Sequence, residues 1–102
     1  MTLAEVLEAA AAKLPDAQRE SSSGPTVWTR AGVEFAVLAA DGSAEFHLDV
    51  PVAAAAARTP DTALSARGPG WVRFSPSTLD PHAIDRATAW FVSAHRRAGS
   101  RG

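Results

Sequence analysis

An Asp-Gly pair between two alternating segments is the feature that most constrains the fold of this chain. Asp41 and Gly42 separate VEFAVLAA, residues 33–40, from SAEFHLDV, residues 43–50. Asp-Gly flanked by alternating apolar residues is a strong signal for a tight β-hairpin. In the second segment every other residue is apolar, which is typical of an antiparallel sheet covered on one side. Pairing Ala40 with Ser43 across a two-residue turn predicts that Ala36 faces His47 and Glu34 faces Asp49.

The residues before this hairpin predict a helix, a loop and a further strand. Thr2 and Glu5 match a helix-capping box, and apolar residues at helical spacing follow as far as Leu14, before a proline. Residues 16–25 are polar and lack periodicity, so we expect a loop there. Residues 26–30, TVWTR, indicate a strand joined by Ala-Gly to the strand that starts at Val33.

The second half of the chain predicts two helices and one strand. Residues 51–58 form an alanine-rich run that starts with proline and favours a short helix. Residues 71–75 alternate as a strand, with Val72 and Phe74 on one face and Trp71 and Arg73 on the other. Asp80 followed by proline indicates the start of a helix that runs to about residue 97, and residues 98–102 are expected to fray.

These elements predict one α+β domain over residues 1–97. We expect a largely antiparallel sheet of four or more strands, with the N- and C-terminal helices packed on one face. A chain of 102 residues with 46% hydrophobic and 21% charged residues is long and apolar enough for one core.

Composition also limits the classes of function. The absence of cysteine excludes disulfides, zinc-thiolate centres and thiol catalysis, and no metal or cofactor motif is present. The net charge of −1 gives no overall attraction to nucleic acid or to anionic membranes. The N-terminus carries acidic residues where a secretory signal needs basic ones, and no apolar run approaches the roughly 20 residues of a membrane span, so we expect a cytoplasmic protein.

The chain resembles the MmcQ/YjbR family, whose members have a frataxin-like "double wing" fold. The residues that carry this resemblance are PTVW at 25–28, GVEFAVL at 32–38, the strand that ends at Asp49, the alanine-rich helix and the GWV at 70–72. The resemblance covers nearly the whole chain and implies DNA binding. Unlike that family, this chain is slightly acidic and has no lysines in its strands. Residues 30–71 are also similar to a family of small luciferase-associated domains.

Three groups of residues are candidates for a site. On the second hairpin strand, His47, Asp49 and Glu45 share a face, and the predicted register places Glu34 beside them. Two facing carboxylates next to a histidine could hold a divalent cation or polarise a water. The alternative is an ordinary solvated strand face. Trp71 and Arg73 would form a base-stacking or protein-contact surface if they point away from the helices; otherwise Trp71 covers the short helix or a sheet edge. Arg86, Arg96, Arg97 and Arg101 gather at the C-terminus, where a phosphate could bind or where they could be a solvated helix end.

The sequence therefore predicts a non-catalytic binding or interaction module that requires no cofactor. Its working surface would be the open sheet face with Trp71, Arg73 and His47, and its partner a protein, a small molecule or, weakly, DNA. The alternative is a small-molecule-binding or enzymatic pocket around His47, Asp49 and Glu34. Either a monomer or a homodimer is compatible with the pattern.

Overall fold

The computed structural model describes residues 1–21 and 24–100, and it confirms the α+β fold class. The elements in chain order are α1 (Leu3–Ala12), β1 (Ala17–Ser21), β2 (Thr26–Arg30), β3 (Val33–Leu38), β4 (Ala44–His47), α2 (Val50–Ala56), β5 (Thr62–Leu64), β6 (Trp71–Phe74) and α3 (Pro81–Ser100). All strand pairings are antiparallel, in one six-stranded sheet of order β1-β2-β3-β4-β6-β5. Across the described residues, no helix combines the length and apolar composition needed to cross a bilayer.

The apolar core lies between one face of this sheet and the helices. Phe91 of α3 is at its centre, edge-to-face with Trp28 of β2 at 5.4 Å and with Phe35 of β3 at 5.2 Å between ring centroids. α1 contributes Leu7, which is fully buried, and α2 contributes small buried alanines. The two long helices therefore pack on the same side of the sheet, as expected.

The sequence did not predict the two edge strands, β1 and β5. Residues 17–21 were expected to be part of a loop, but they form β1 and pair with β2, with Arg19 opposite Trp28. β5 covers only three residues beside β6 at the other edge. Both strands are largely exposed, so they need no apolar alternation, and that alternation is the signal by which strands are recognised. The serines at 22 and 23 lie outside the described residues.

The hairpin forms around Asp41 and Gly42, but its register differs by one residue from the prediction. The Ala39 amide donates to the Ser43 carbonyl at 2.8 Å, and the Gly42 amide donates to the Ala39 carbonyl at 3.0 Å. The loop is therefore the three residues 40–42, with Gly42 at φ +90°, a common alternative to the two-residue turn. Ala36 consequently pairs with Phe46 and not with His47.

The C-terminal helix is longer than predicted. Asp80 caps it as expected, since its carboxylate accepts from the Ala83 amide at 2.8 Å. The tail expected to fray over residues 98–102 is helical through Ser100, because Ala98 is buried in the core and Gly99 lies against the Arg30 guanidinium. Residues 101 and 102, including the candidate Arg101, lie outside the described part of the chain.

Candidate functional site

The face of the sheet away from the core carries four of the candidate polar and aromatic positions on two neighbouring strands. Glu45 of β4 pairs with Arg73 of β6, and His47 pairs with Trp71. We call these four residues the β4–β6 strip. The alternate residues of the same strands, Ala44, Phe46, Val72 and Phe74, are fully buried on the core side. Strand periodicity therefore places the strip on the face opposite the core.

Trp71 is covered by neighbouring side chains and is not an exposed platform. Its ring stacks on the His47 imidazole, with centroids 4.7 Å apart and planes 14° apart. The Arg67 guanidinium carbon lies 5.4 Å from the ring centroid, in cation–π range. Only 9% of the residue is exposed. Of the two sequence interpretations, the exposed one is wrong, and the cover comes from Arg67 and His47.

Glu45 contributes the carboxylate of the strip. Its carboxylate accepts from Arg67 Nε at 2.8 Å and from the Ser65 hydroxyl. Partial burial by itself would raise the pKa of Glu45, but the hydrogen bonds from Arg67 and Ser65 and the charges of Arg67 and Arg73 outweigh it, so that the pKa lies below its ordinary value. These contacts therefore favour the ionised form of the carboxylate.

Arg73 forms the other ion pair at the strip. Its Nη2 lies 2.5 Å from Asp41 Oδ2, and both side chains are about half exposed. The other Asp41 oxygen accepts from the Ser43 hydroxyl at 2.7 Å and from the Ser43 amide at 2.9 Å. These Ser43 hydrogen bonds, followed by the charge of Arg73, lower the pKa of Asp41. The hairpin turn thus fixes the partner of Arg73.

The predicted cluster of His47, Asp49 and Glu34 is only partly formed. Asp49 lies beyond β4 as the N-cap residue of α2, and its carboxylate is 3.4 Å from Arg97 Nε. Arg97 Nη1 also lies 3.4 Å from His47 Nδ1, so Arg97 links these two residues. Glu34 instead pairs with Thr29 of β2. The prediction that two carboxylates face each other is wrong, because it depended on the shifted register.

The C-terminal arginines do not form one patch. Arg86 donates to the Pro60 carbonyl at 2.8 Å and covers the rings of Phe74 and Trp90. Arg97 is bound to Asp49, whereas Arg96 is exposed. Arg86 and Arg97 are eleven positions apart in α3, or roughly 16 Å along the axis, which is too far for one phosphate.

Two shallow clefts adjoin the strip, and Arg73 lines both. One, of about 480 Å³, is bounded by Glu45, Leu64, Ser65, Ala66, Arg67 and Arg73. The other, of about 550 Å³, lies beyond Arg73 toward the hairpin turn and is bordered by serines at 43, 75 and 77. Among residues 1–21 and 24–100, no group of three or more His, Asp or Glu side chains could hold a metal ion. The clefts therefore offer hydrogen-bonding and charged groups.

Ser65 and Arg67 are the residues of this site that the sequence did not predict. They lie in the loop between β5 and β6, 20 and 22 residues from Glu45, and neither spacing nor periodicity connects positions so far apart. The signal nearest to them was RGPG at 67–70, which lacks the spacing of a phosphate-binding loop.

No known protein family, curated protein or solved structure matches this chain. The resemblance to the MmcQ/YjbR family therefore stays a prediction.

Proposed function

We propose that this protein is a non-catalytic binding module that holds an extended segment of a protein partner against the β4–β6 strip. The observation that carries the proposal is the placement of Glu45, Arg67 and Arg73 in the wall of an open cleft of about 480 Å³, on the face that the helices leave uncovered. Arginine is among the residues that contribute most to protein-contact sites, and complementary charges across such a site give specificity for the partner.

The state of the charges supports a peptide over a nucleic acid. Within the described residues, five arginines lie within 3.4 Å of a carboxylate, namely Arg19, Arg30, Arg67, Arg73 and Arg97. A phosphate backbone would have to compete with every such pair that it met, and the net charge of −1 adds no long-range attraction. A peptide that carries both signs of charge can exchange partners with such pairs at less cost.

The alternative, a catalytic or small-molecule pocket around His47, Asp49 and Glu34, has weaker support. Arg97 engages both His47 and Asp49, while Glu34 lies beside β2. The clefts beside the strip do not include any of these three residues in their walls. A ligand at those residues would therefore lack the enclosure that small-molecule sites usually provide.

Selection of random peptides displayed on phage tests the proposal. The full chain is immobilised, and enriched peptides are synthesised and titrated by fluorescence anisotropy. We expect micromolar binders whose affinity falls at least about tenfold in the double variant Glu45→Gln/Arg73→Gln. Arg58→Gln, an exposed arginine after α2, is the matched control and is expected to leave binding unchanged.

Two results would contradict the proposal. One is the absence of any enriched peptide, and the other is enrichment of peptides that bind the double variant as well as the parent. A labelled DNA duplex is titrated in parallel at about 50 and 200 mM salt. Tight binding to it that weakens steeply with salt would favour the nucleic-acid function instead.

A further inference from the structure

The Arg67 side chain contacts one residue from each of two neighbouring strands, Glu45 of β4 and Trp71 of β6. Its Nε lies 2.8 Å from Glu45 Oε1, and its guanidinium carbon lies 5.4 Å from the centroid of the Trp71 ring. The Ser65 hydroxyl donates to the other oxygen of Glu45 and so fixes the carboxylate. A carboxylate beside an aromatic ring binds guanidinium and ammonium groups, because charge-assisted hydrogen bonding and cation–π attraction act on the same charge.

The two sides of this contact, Glu45 with Trp71 on one and Arg67 on the other, are held in place differently. Glu45 and Trp71 belong to β4 and β6, and their exposed fractions are 13% for the Glu45 side chain and 9% for Trp71. The Arg67 side chain is 40% exposed and belongs to a turn that continues into Gly68, which has φ +137° and open space on the side where a Cβ would lie. Glu45 and Trp71 are thus part of the sheet, whereas the Arg67 side chain can move away without disrupting a strand.

We propose that Glu45 and Trp71 form a binding site for the guanidinium or ammonium group of a partner's Arg or Lys side chain, with Arg67 as its internal occupant. The inference rests on the proposed function, because it assigns the chemistry of the partner segment. A tethered group competes at an effective concentration in the millimolar range. A single external arginine is therefore a poor competitor, and a partner needs further contacts along the strip to displace Arg67.

Removing the occupant tests this proposal directly. N-acetyl-arginine amide is titrated into the parent protein and into Arg67→Ala, and the indole N–H resonance of Trp71 is followed by two-dimensional NMR. Its assignment comes from Trp71→Phe. We expect Arg67→Ala to bind the arginine amide at least about tenfold more tightly than the parent. Arg58→Ala removes an exposed arginine elsewhere and is expected to behave as the parent does.

Three further arms make the result specific. N-acetyl-citrulline amide, the neutral isostere, is expected not to shift the Trp71 resonance, and Glu45→Gln added to Arg67→Ala is expected to abolish arginine binding. Arg67→Gln keeps most of the side-chain stem without the charge and serves if Arg67→Ala does not fold. Equal arginine affinity in the parent and in the folded Arg67 variant, equal binding of citrulline, or binding that survives Glu45→Gln would each overturn the proposal.

The outcome separates this inference from the proposed function. Selected peptides that need the strip but contain no basic residue, together with no arginine binding in the Arg67 variant, would overturn the cation site and leave the binding module intact. A failed peptide selection would contradict the module, whereas the arginine titration would still decide whether the cation site exists.

Discussion

The stability of the protein is expected to fall between pH 7 and pH 5 because of one buried histidine. His95 of α3 is 8% exposed and stands edge-to-face with Phe35, at 5.5 Å between ring centroids. Arg30 Nη1 lies 3.4 Å from its Nδ1 and also donates to its backbone carbonyl at 3.0 Å. Because guanidinium groups only donate, Nδ1 is the acceptor, and the proton of the neutral ring is on Nε2. Among the described residues, that Nε2 is a buried side-chain atom without a hydrogen-bond partner.

Burial, followed by the positive charge of Arg30, lowers the pKa of His95, while the negative charge of Asp16 opposes the shift. The unfolded chain therefore binds a proton at a higher pH than the folded chain does. The contribution of His95 to stability is fully present above about pH 6.5 and decreases as the pH falls below that value. Uptake of one proton can lower the free energy of unfolding by no more than about 1.4 kcal/mol per pH unit, which is at most about 2 kcal/mol between pH 6.5 and pH 5.

Urea unfolding of the parent and of His95→Leu at several pH values between about 5 and 7.5 measures this effect. The difference in unfolding free energy between the two proteins should shift in favour of His95→Leu as the pH falls, because other ionisable groups are common to both. The carboxyl groups of Glu5, Asp41 and Glu45 have lowered pKa values and lose their contributions mainly at lower pH. His82→Asn, an exposed histidine on the same helix, is the control. Parallel curves for the parent and His95→Leu would refute this reasoning.

Three further predictions concern folding. Gly70→Ala should lower the free energy of unfolding by about 2 kcal/mol or more, because Gly70 has φ +83° and a Cβ there would collide with the Leu48 carbonyl oxygen. Gly42→Ala, at φ +90° in open space, should lower it by only about 1 kcal/mol. Equal losses for the two variants in urea titrations would contradict the steric argument. Phe91→Ala should cost about 3–5 kcal/mol in the same assay, since it removes the ring at the centre of the core. Thr2→Ala should cost about 0.5–2 kcal/mol by removing the cap of α1, and an unchanged thermal midpoint would contradict it.

The parts of the fold that could be predicted are those that short sequence motifs determine. The capping box at Thr2, the proline after Asp80 and the alternation in β4 and β6 each correspond to an observed element. The edge strands β1 and β5 could not be predicted, because their pairing depends on backbone hydrogen bonds that their exposed side chains do not reveal. The face of Trp28 also required the structure, since a bulge at Phe35 changes the alternation between β2 and β3.

The site was harder to predict than the fold because it depends on pairing between distant segments. Strand periodicity predicted that Trp71 shares a face with Arg73 and that His47 shares a face with Glu45, and the pairing of β4 with β6 brings the two pairs together. That β4 is next to β6, and that Arg67 folds back onto Glu45, follow from chain topology that no short motif encodes.

A shift of one residue in the hairpin explains why Glu34 and Asp49 do not face each other as predicted. In the predicted register two carboxylates, Glu34 and Asp49, face each other, and such like-charged pairs are destabilising. In the observed register Ala36 pairs with Phe46, which moves every side chain of β4 to the other face relative to β3. On its other side β4 pairs with β6, where Glu45 lies opposite Arg73, and the charge of Arg73 contributes to the lowered pKa of Glu45. The open face therefore carries charged side chains that are already paired with Arg67 and Asp41, and a partner at this face would have to exchange contacts with these pairs.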